Sequence, residues 1–193
     1  MTTHREPLDS VIETVGETPL VSIDAAPEGV PIYAKLETFN PGASVKDRIG
    51  KYMLEAMLER GEVVPGGTIV EPTAGNTGIG FALAAGELDL DAVFVVPERF
   101  SVEKQQLMDA LGATVVNTPT ADGMQGAIER ARQLADELED AVVPQQFSNP
   151  LNAEAHAATT GPEILEALDG DVGAVVAGCR TAGTPMGVTK AVR

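Results

Sequence analysis

Short apolar runs of β character alternate along this chain with longer stretches whose apolar residues recur at helical spacing, and that alternation restricts the fold more than any other feature. Strands are predicted at Ile32–Leu36, Thr68–Glu71, Ala92–Val96, Thr114–Asn117 and Ala174–Ala177. Helices are predicted between and after them, at Val45–Arg60, Asn76–Leu88, Val102–Leu111, Gly123–Leu138 and Ala153–Leu168. Pro65-Gly66-Gly67, Gly112 and Gly161-Pro162 supply turn chemistry at the boundaries. The pattern describes an α/β protein around a mostly parallel sheet. In such folds ligands gather where a strand hands over to a helix, because the first N–H groups of the helix are free and carry partial positive charge.

Composition sets the limits on what those junctions can serve. Apolar residues make up 44% of the 193, enough for a packed core. Asp and Glu number 29 against 13 Lys and Arg, a net charge of -16, which repels nucleic acid and anionic lipid. The acids are scattered rather than collected in a tail, so they read as a solvated surface, in the manner of proteins from a high-salt cytoplasm. No basic-then-apolar leader and no long uncharged apolar run is present, so export and membrane spanning are not expected. Cys179 is the single cysteine, which fits a reducing cytoplasm and excludes an internal disulfide. Two distant histidines and one cysteine do not assemble a metal site, and His156, in an Ala-rich helical stretch, reads as structural.

Three junctions carry unusual sequences. The first, Asn40 to Gly50, reads NPGASVKDRIG: Pro41 and Gly42 break the chain, Ser44 can cap the helix, and Lys46 falls in its first turn. A helix N-terminus disfavours a cation, and the same clash lowers the amine's pKa, as a nucleophile towards an aldehyde requires. By spacing alone such a lysine is more often simply solvent-facing. The second junction, EPTAGNTGIG from Glu71 to Gly80, offers Gly75 and Gly78 for close backbone approach and Asn76 and Thr77 as hydrogen-bonding side chains. Taken alone it reads equally well as an ordinary Asn cap. The third, GCRTAGTPMG from Gly178 to Gly187, is a Gly- and Thr-rich loop opening a helix, suited to a dianion, with Thr184 as N-cap and Pro185 at the first helical position.

Read together, these segments resemble the cysteine synthase and cystathionine β-synthase family of fold-type II pyridoxal-phosphate enzymes. GETPLV, KLE, NPGASVKDR, EPTAGNTGIG, VPERFSVEKQQLMDALGA and QQFSNPLNAEAHAATTGPEI occur in the family's order and span nearly the whole chain. The resemblance implies two open, mostly parallel α/β domains: a smaller mobile one over 40–149, and a larger cofactor-binding one formed by 1–39 and 150–193, incomplete because relatives are considerably longer. It implies pyridoxal 5'-phosphate held by Lys46, with Asn76 beside the cofactor ring and Thr181, Ala182, Gly183 and Thr184 around its phosphate. Thr73, Gly75, Thr77 and Gln146 match the positions that grip the substrate's carboxylate.

The implied reaction is β-replacement on an activated serine, O-acetylserine or O-phosphoserine, by sulfide to give cysteine, in a cytoplasmic homodimer. Two alternatives stand beside it: a cystathionine β-synthase or serine/threonine dehydratase-like lyase, and a truncated copy without catalysis. Departures from the family pattern bear on both. Ala74 stands where Ser is usual, Pro185 removes one donor near the phosphate, and Arg180 stands where Gly is usual. At position 180 a left-handed backbone costs a side chain on the order of 1 kcal/mol, and the arginine either obstructs the phosphate or pairs with it.

Overall fold

A computed structural model describes residues 7–24 and 29–193. Two short strands, β1 (Leu20–Ser22) and β2 (Tyr33–Lys35), form an antiparallel pair. The main sheet contains β3 (Thr68–Pro72), β4 (Asp91–Pro97), β5 (Thr114–Thr118) and β6 (Ala141–Val142), in the spatial order β5-β4-β3-β6 and with every pairing parallel. The helices are α1 (Lys46–Glu59), α2 (Asn76–Glu87), α3 (Val102–Ala110), α4 (Gly123–Glu137), α5 (Leu151–Ala158), α6 (Thr160–Ala167) and α7 (Gly183–Ala191). The α/β reading and the first four predicted strands hold, with no end shifted by more than one residue.

Successive strand residues point to opposite faces, and both faces are covered. Ile69, Phe94 and Val96 join α1 and α2 in the larger core, together with Met53, Leu54 and Phe81. Val70 and Val95 point the other way, onto Ala127 and Ala131 of α4. This double cover explains why β3 and β4 read as continuous apolar runs rather than alternating ones.

Two glycines let α1 and α2 touch backbone to backbone. A Cβ on Gly50 would lie 2.3 Å from the carbonyl oxygen of Gly80, and one on Gly80 would lie 2.5 Å from that of Lys46. The first turn of α1 is thereby seated on the first turns of α2, so two of the three ligand junctions adjoin.

A buried ion cluster fastens the N-terminal segments to this unit. Arg48, 2% exposed, donates to Glu37 through Nε (2.7 Å) and Nη2 (2.9 Å), and to Glu163 of α6 through Nη1 (2.6 Å) and Nη2 (2.7 Å). Lys35 of β2 reaches the same Glu163 at 2.5 Å. The paired charges hold the Glu163 carboxyl down to about 2 despite its burial.

Three expectations need correction. Ala174–Ala177 is not a strand: no neighbour among the described residues pairs with it, and Val176 is 98% exposed. Apolar β character does not make a strand where no partner takes up its backbone groups. The predicted helix Ala153–Leu168 is two helices, broken at Thr159 (φ -124°, ψ -71°). Pro162, which lacks an N–H, is accommodated in the first turn of α6 instead of the middle of a longer helix. Finally, α7 begins at Gly183 with Ala182 before it in the left-handed region (φ 62°), so Thr184 lies inside the helix and is not its cap.

Candidate active site

Lys46 opens α1, and the loop before it is tightly tied. Asn40 donates its side-chain amide to the carbonyl of Ser44 at 3.1 Å, and Asp47 accepts the N–H of Gly42 at 2.6 Å. The cap position is Val45 and not Ser44, although Ser44 Oγ still accepts the N–H of Lys46 at 3.1 Å from one residue further back. The Lys46 amine is held below the usual lysine range, first by burial and then by the nearby charge of Arg180. The direction is the one its place at a helix start implies. The causes differ, since desolvation and a second cation, more than the helix end, bring it down.

The amine faces a cavity of about 700 Å³. Lys46, Thr73, Gly75, Asn76, Thr77, Gln146 and Thr181 all line it, so one wall gathers residues from all three junctions. Phe100, Ser101, Lys104 and Arg180 line it as well. The lining holds Lys46, Lys104 and Arg180 but no Asp or Glu, a cationic hollow in a chain of net charge -16. None of those three cations makes a salt bridge among the described residues. Such a hollow concentrates anions.

Within the second junction, Thr73 Oγ1 accepts the N–H of Gly75 at 3.3 Å. Thr77 Oγ1 donates to Gln146 Oε1 at 2.7 Å, which joins the α2 start to the Gln145–Phe147 loop. Gly75 has no atom within 4 Å of a would-be Cβ and opens onto the cavity. Gly78 instead makes room for α3, since a Cβ there would strike Met108 Sδ at 2.2 Å.

One residue of this site had no role in the sequence reading. Glu71, at the end of β3 and 1% exposed, accepts the N–H of Gln145 at 3.0 Å and of Gln146 at 3.3 Å. Burial pushes its carboxyl up to about 7 against the pull of those donors. It holds a loop whose Gln145 sits in the left-handed region (φ 60°), and so sets where Gln146 points. The only signal in sequence was a carboxylate closing an otherwise apolar strand.

The third junction is only partly on the cavity. Arg180 and Thr181 line it, whereas Ala182, Gly183 and Thr184 are not among its lining residues. Thr184 Oγ1 meets His156 Nε2 at 3.1 Å, and His156 Nδ1 meets Thr160 Oγ1 at 2.8 Å. His156 thus has a structural part, bracing the first turn of α7 through Thr184. Burial takes its pKa down to about 4, so it is neutral at pH 7. Arg180 is not in the left-handed region and its side chain is exposed, so it carries no backbone strain. The left-handed residue is Ala182, two positions on.

The donor set suits a phosphorylated aldehyde. A lysine with a lowered pKa stands in a cavity that also presents Arg180, Thr181 and Asn76. No group of His, Cys, Asp and Glu among the described residues is placed to hold a metal ion. Among the described residues no helix is long and apolar enough to cross a membrane.

Comparison with known proteins agrees with this chemistry. Over 182 residues (93% of the chain and 59% of the relative) the chain is 50% identical to an O-acetylserine dependent cystathionine beta-synthase of Bacillus subtilis. It is 44% identical over 187 residues to a cysteine synthase of Helicobacter pylori, covering 95% of the chain and 61% of that protein. Among solved structures, the cysteine synthase of Entamoeba histolytica superposes with a TM-score of 0.93 at 36% identity, covering 100% of this chain and 59% of that one. The O-acetylserine dependent cystathionine beta-synthase of Helicobacter pylori gives 0.91 at 43% identity, over 97% and 63%. The chain thus spans about three-fifths of the length of these relatives, 59% and 61% for the two curated proteins. Residues 11–193 match the family described as pyridoxal-phosphate dependent enzyme, and the chain belongs to that family.

Proposed function

We propose that this chain carries the lysine, carboxylate-loop and part of the phosphate-loop side of a cysteine synthase, acting on an activated serine with sulfide as the incoming nucleophile. The observation that carries this reading is the meeting of Lys46, the Thr73–Thr77 loop and Gln146 in one cavity. In the proposed assignment Lys46 holds pyridoxal phosphate, Asn76 lies beside its ring, and Thr181, with Ala182, Gly183 and Thr184 after it, receives its phosphate. In this reading Arg180 pairs with that phosphate; it lines the cavity and its backbone is not in the left-handed region, which supports pairing over obstruction.

When bound, the cofactor supplies an electron sink for charge developing at the substrate's Cα. The chain's own residues do the rest. Thr73, Gly75, Thr77 and Gln146 hold the substrate carboxylate, which turns the Cα hydrogen towards Lys46. The Lys46 amine, lowered by burial and by Arg180, takes that proton as a general base and later returns it to Cα. Burial of the amine disfavours its charged form, which is the direction this step needs.

Cystathionine synthesis is the second reading, favoured by the 50% identity to the Bacillus subtilis enzyme. Assays with O-acetylserine, O-phosphoserine or serine, each paired with sulfide or homocysteine, separate the two. The primary test is spectroscopic. Reconstituted protein is expected to show an absorbance band in the near-ultraviolet to visible range that borohydride fixes covalently, and Lys46→Ala to lose it. Soluble folded protein without the band would overturn the assignment.

We further propose residues 40–149 as a smaller mobile domain, with 1–39 and 150–193 contributing to a larger one, in a cytoplasmic homodimer. The excess of 29 acidic over 13 basic residues supports a high-salt cytoplasm. Melting temperature is then expected to rise with potassium chloride.

A further inference from the structure

Asn152 joins the two loops that the functional reading assigns to different ligands. It lies near the start of α5 and is 2% exposed. Its Nδ2 donates to the main-chain carbonyl of Gln146 at 2.8 Å and to Thr181 Oγ1 at 3.1 Å. A carbonyl only accepts, so the amide has one orientation: Nδ2 faces the Gln146 loop and Oδ1 faces the other way. That oxygen is buried without a hydrogen-bond partner. It abuts Gly183, where a Cβ would lie 1.9 Å from it. One side chain therefore sets the spacing between the Gln145–Phe147 loop and the Thr181–Gly183 turn from both of its polar atoms. A buried acceptor left unsatisfied is unfavourable in itself. A packing role alone would be met better by an apolar side chain of the same size.

We propose that Asn152 is a positioning residue that couples the two loops, so that a carboxylate held at Gln146 and a phosphate held at Thr181 strengthen each other's binding. The inference rests on the assignment of those two loops above. The path is short and physical: Thr77 to Gln146 side chain, Gln146 carbonyl to Asn152, Asn152 to Thr181. Glu71 anchors the Gln146 end from below through the two N–H groups it accepts. Ordering either end leaves less freedom to lose when the other is filled, and the effect is reciprocal.

Two measurements test this. In the first, pyridoxine 5'-phosphate, which has no aldehyde to react with Lys46, is titrated with and without saturating L-serine. The parent protein is expected to bind it several-fold tighter with serine present. Asn152→Asp, which keeps the shape but loses the Nδ2 donor, is expected to bring that factor close to one. An equal factor in parent and variant, or no factor in the parent, overturns the proposal. In the second, amide exchange is followed in the ligand-free protein. In the same variant, residues 181–184 and 145–147 are expected to exchange about tenfold faster while Thr68–Pro72 is unchanged. Unchanged exchange at 181–184 overturns the coupling. A parent that binds no pyridoxine 5'-phosphate would count against the cofactor assignment, and the exchange measurement would still decide the role of Asn152.

Discussion

Lys46 and Arg48 stand two residues apart at the start of α1, yet face regions that treat a cation in opposite ways. Arg48 points into a closed cluster where Glu37, Glu163 and Thr18 take up its guanidinium, and it is held well above the ordinary arginine range. Lys46 points into a cavity with no carboxylate in its lining and a second cation nearby, and its amine is held down. Burial acts against the charge at both positions, and the partners decide the outcome. One region stabilises its charge, while the other disfavours it, as the proposed role of the amine requires.

The widest gap between the two should appear on truncation. Arg48→Ala leaves Glu37 without its cation and Glu163 with Lys35 alone, and is expected to cost about 3–5 kcal/mol of stability in denaturant titration. Lys46→Ala removes an unpaired amine and should change stability by only about 0.5 kcal/mol or less while abolishing cofactor retention. Equal stability losses would break the comparison.

Next in size is the buried carboxylate that supports the cavity. The folded pKa of Glu71, about 7, is raised above the ordinary 4.5 of a glutamate. Its contribution is therefore fully present below pH 4.5 and is lost as pH rises through 7, by on the order of 1–3 kcal/mol. Glu71→Gln should flatten stability across that window, as followed by melting temperature. A parent profile with no fall between those limits would contradict the burial argument.

His156 gives the opposite slope. Its pKa is lowered from 6.5 to about 4, so its contribution is present above 6.5 and disappears as pH falls through 4. Replacing it with glutamine should remove that part of the acid destabilisation, leaving the Glu163 part, which is lost between 4.5 and about 2. The smallest effect concerns Arg180. Arg180→Gly removes a neighbouring positive charge and should shift the pH at which Lys46 becomes reactive towards an amine-directed reagent upwards. A downward shift would mean that Arg180 does not act on Lys46 through its charge.

How far the sequence could be read follows the range of the interaction behind each feature. Helical and strand periodicity is local, which is why α1 to α4 and β3 to β5 stand nearly where the pattern places them. The same local signal misled at Ala174–Ala177, since a strand requires a neighbour and none of the described strands lies beside it. The direction of the Lys46 shift was legible from its place at a helix start, but its causes lie in burial and in a residue 134 positions away, Arg180. Glu71 and Asn152 were invisible as functional candidates for the same reason. Each acts through a contact with Gln146, and sequence spacing does not show which backbone groups a buried side chain will meet.

The contact between Gly50 and Gly80 has a consequence for how this site can vary. Neither residue touches a ligand in the proposed assignment, yet any side chain at either one would wedge the Lys46 turn away from the carboxylate loop. The lysine and that loop therefore behave as a single casting, and no hinge between them can adjust their spacing. Adaptation to a new substrate has to come from elsewhere in the lining, around Phe100 and Lys104, where side chains can be exchanged without breaking the mould.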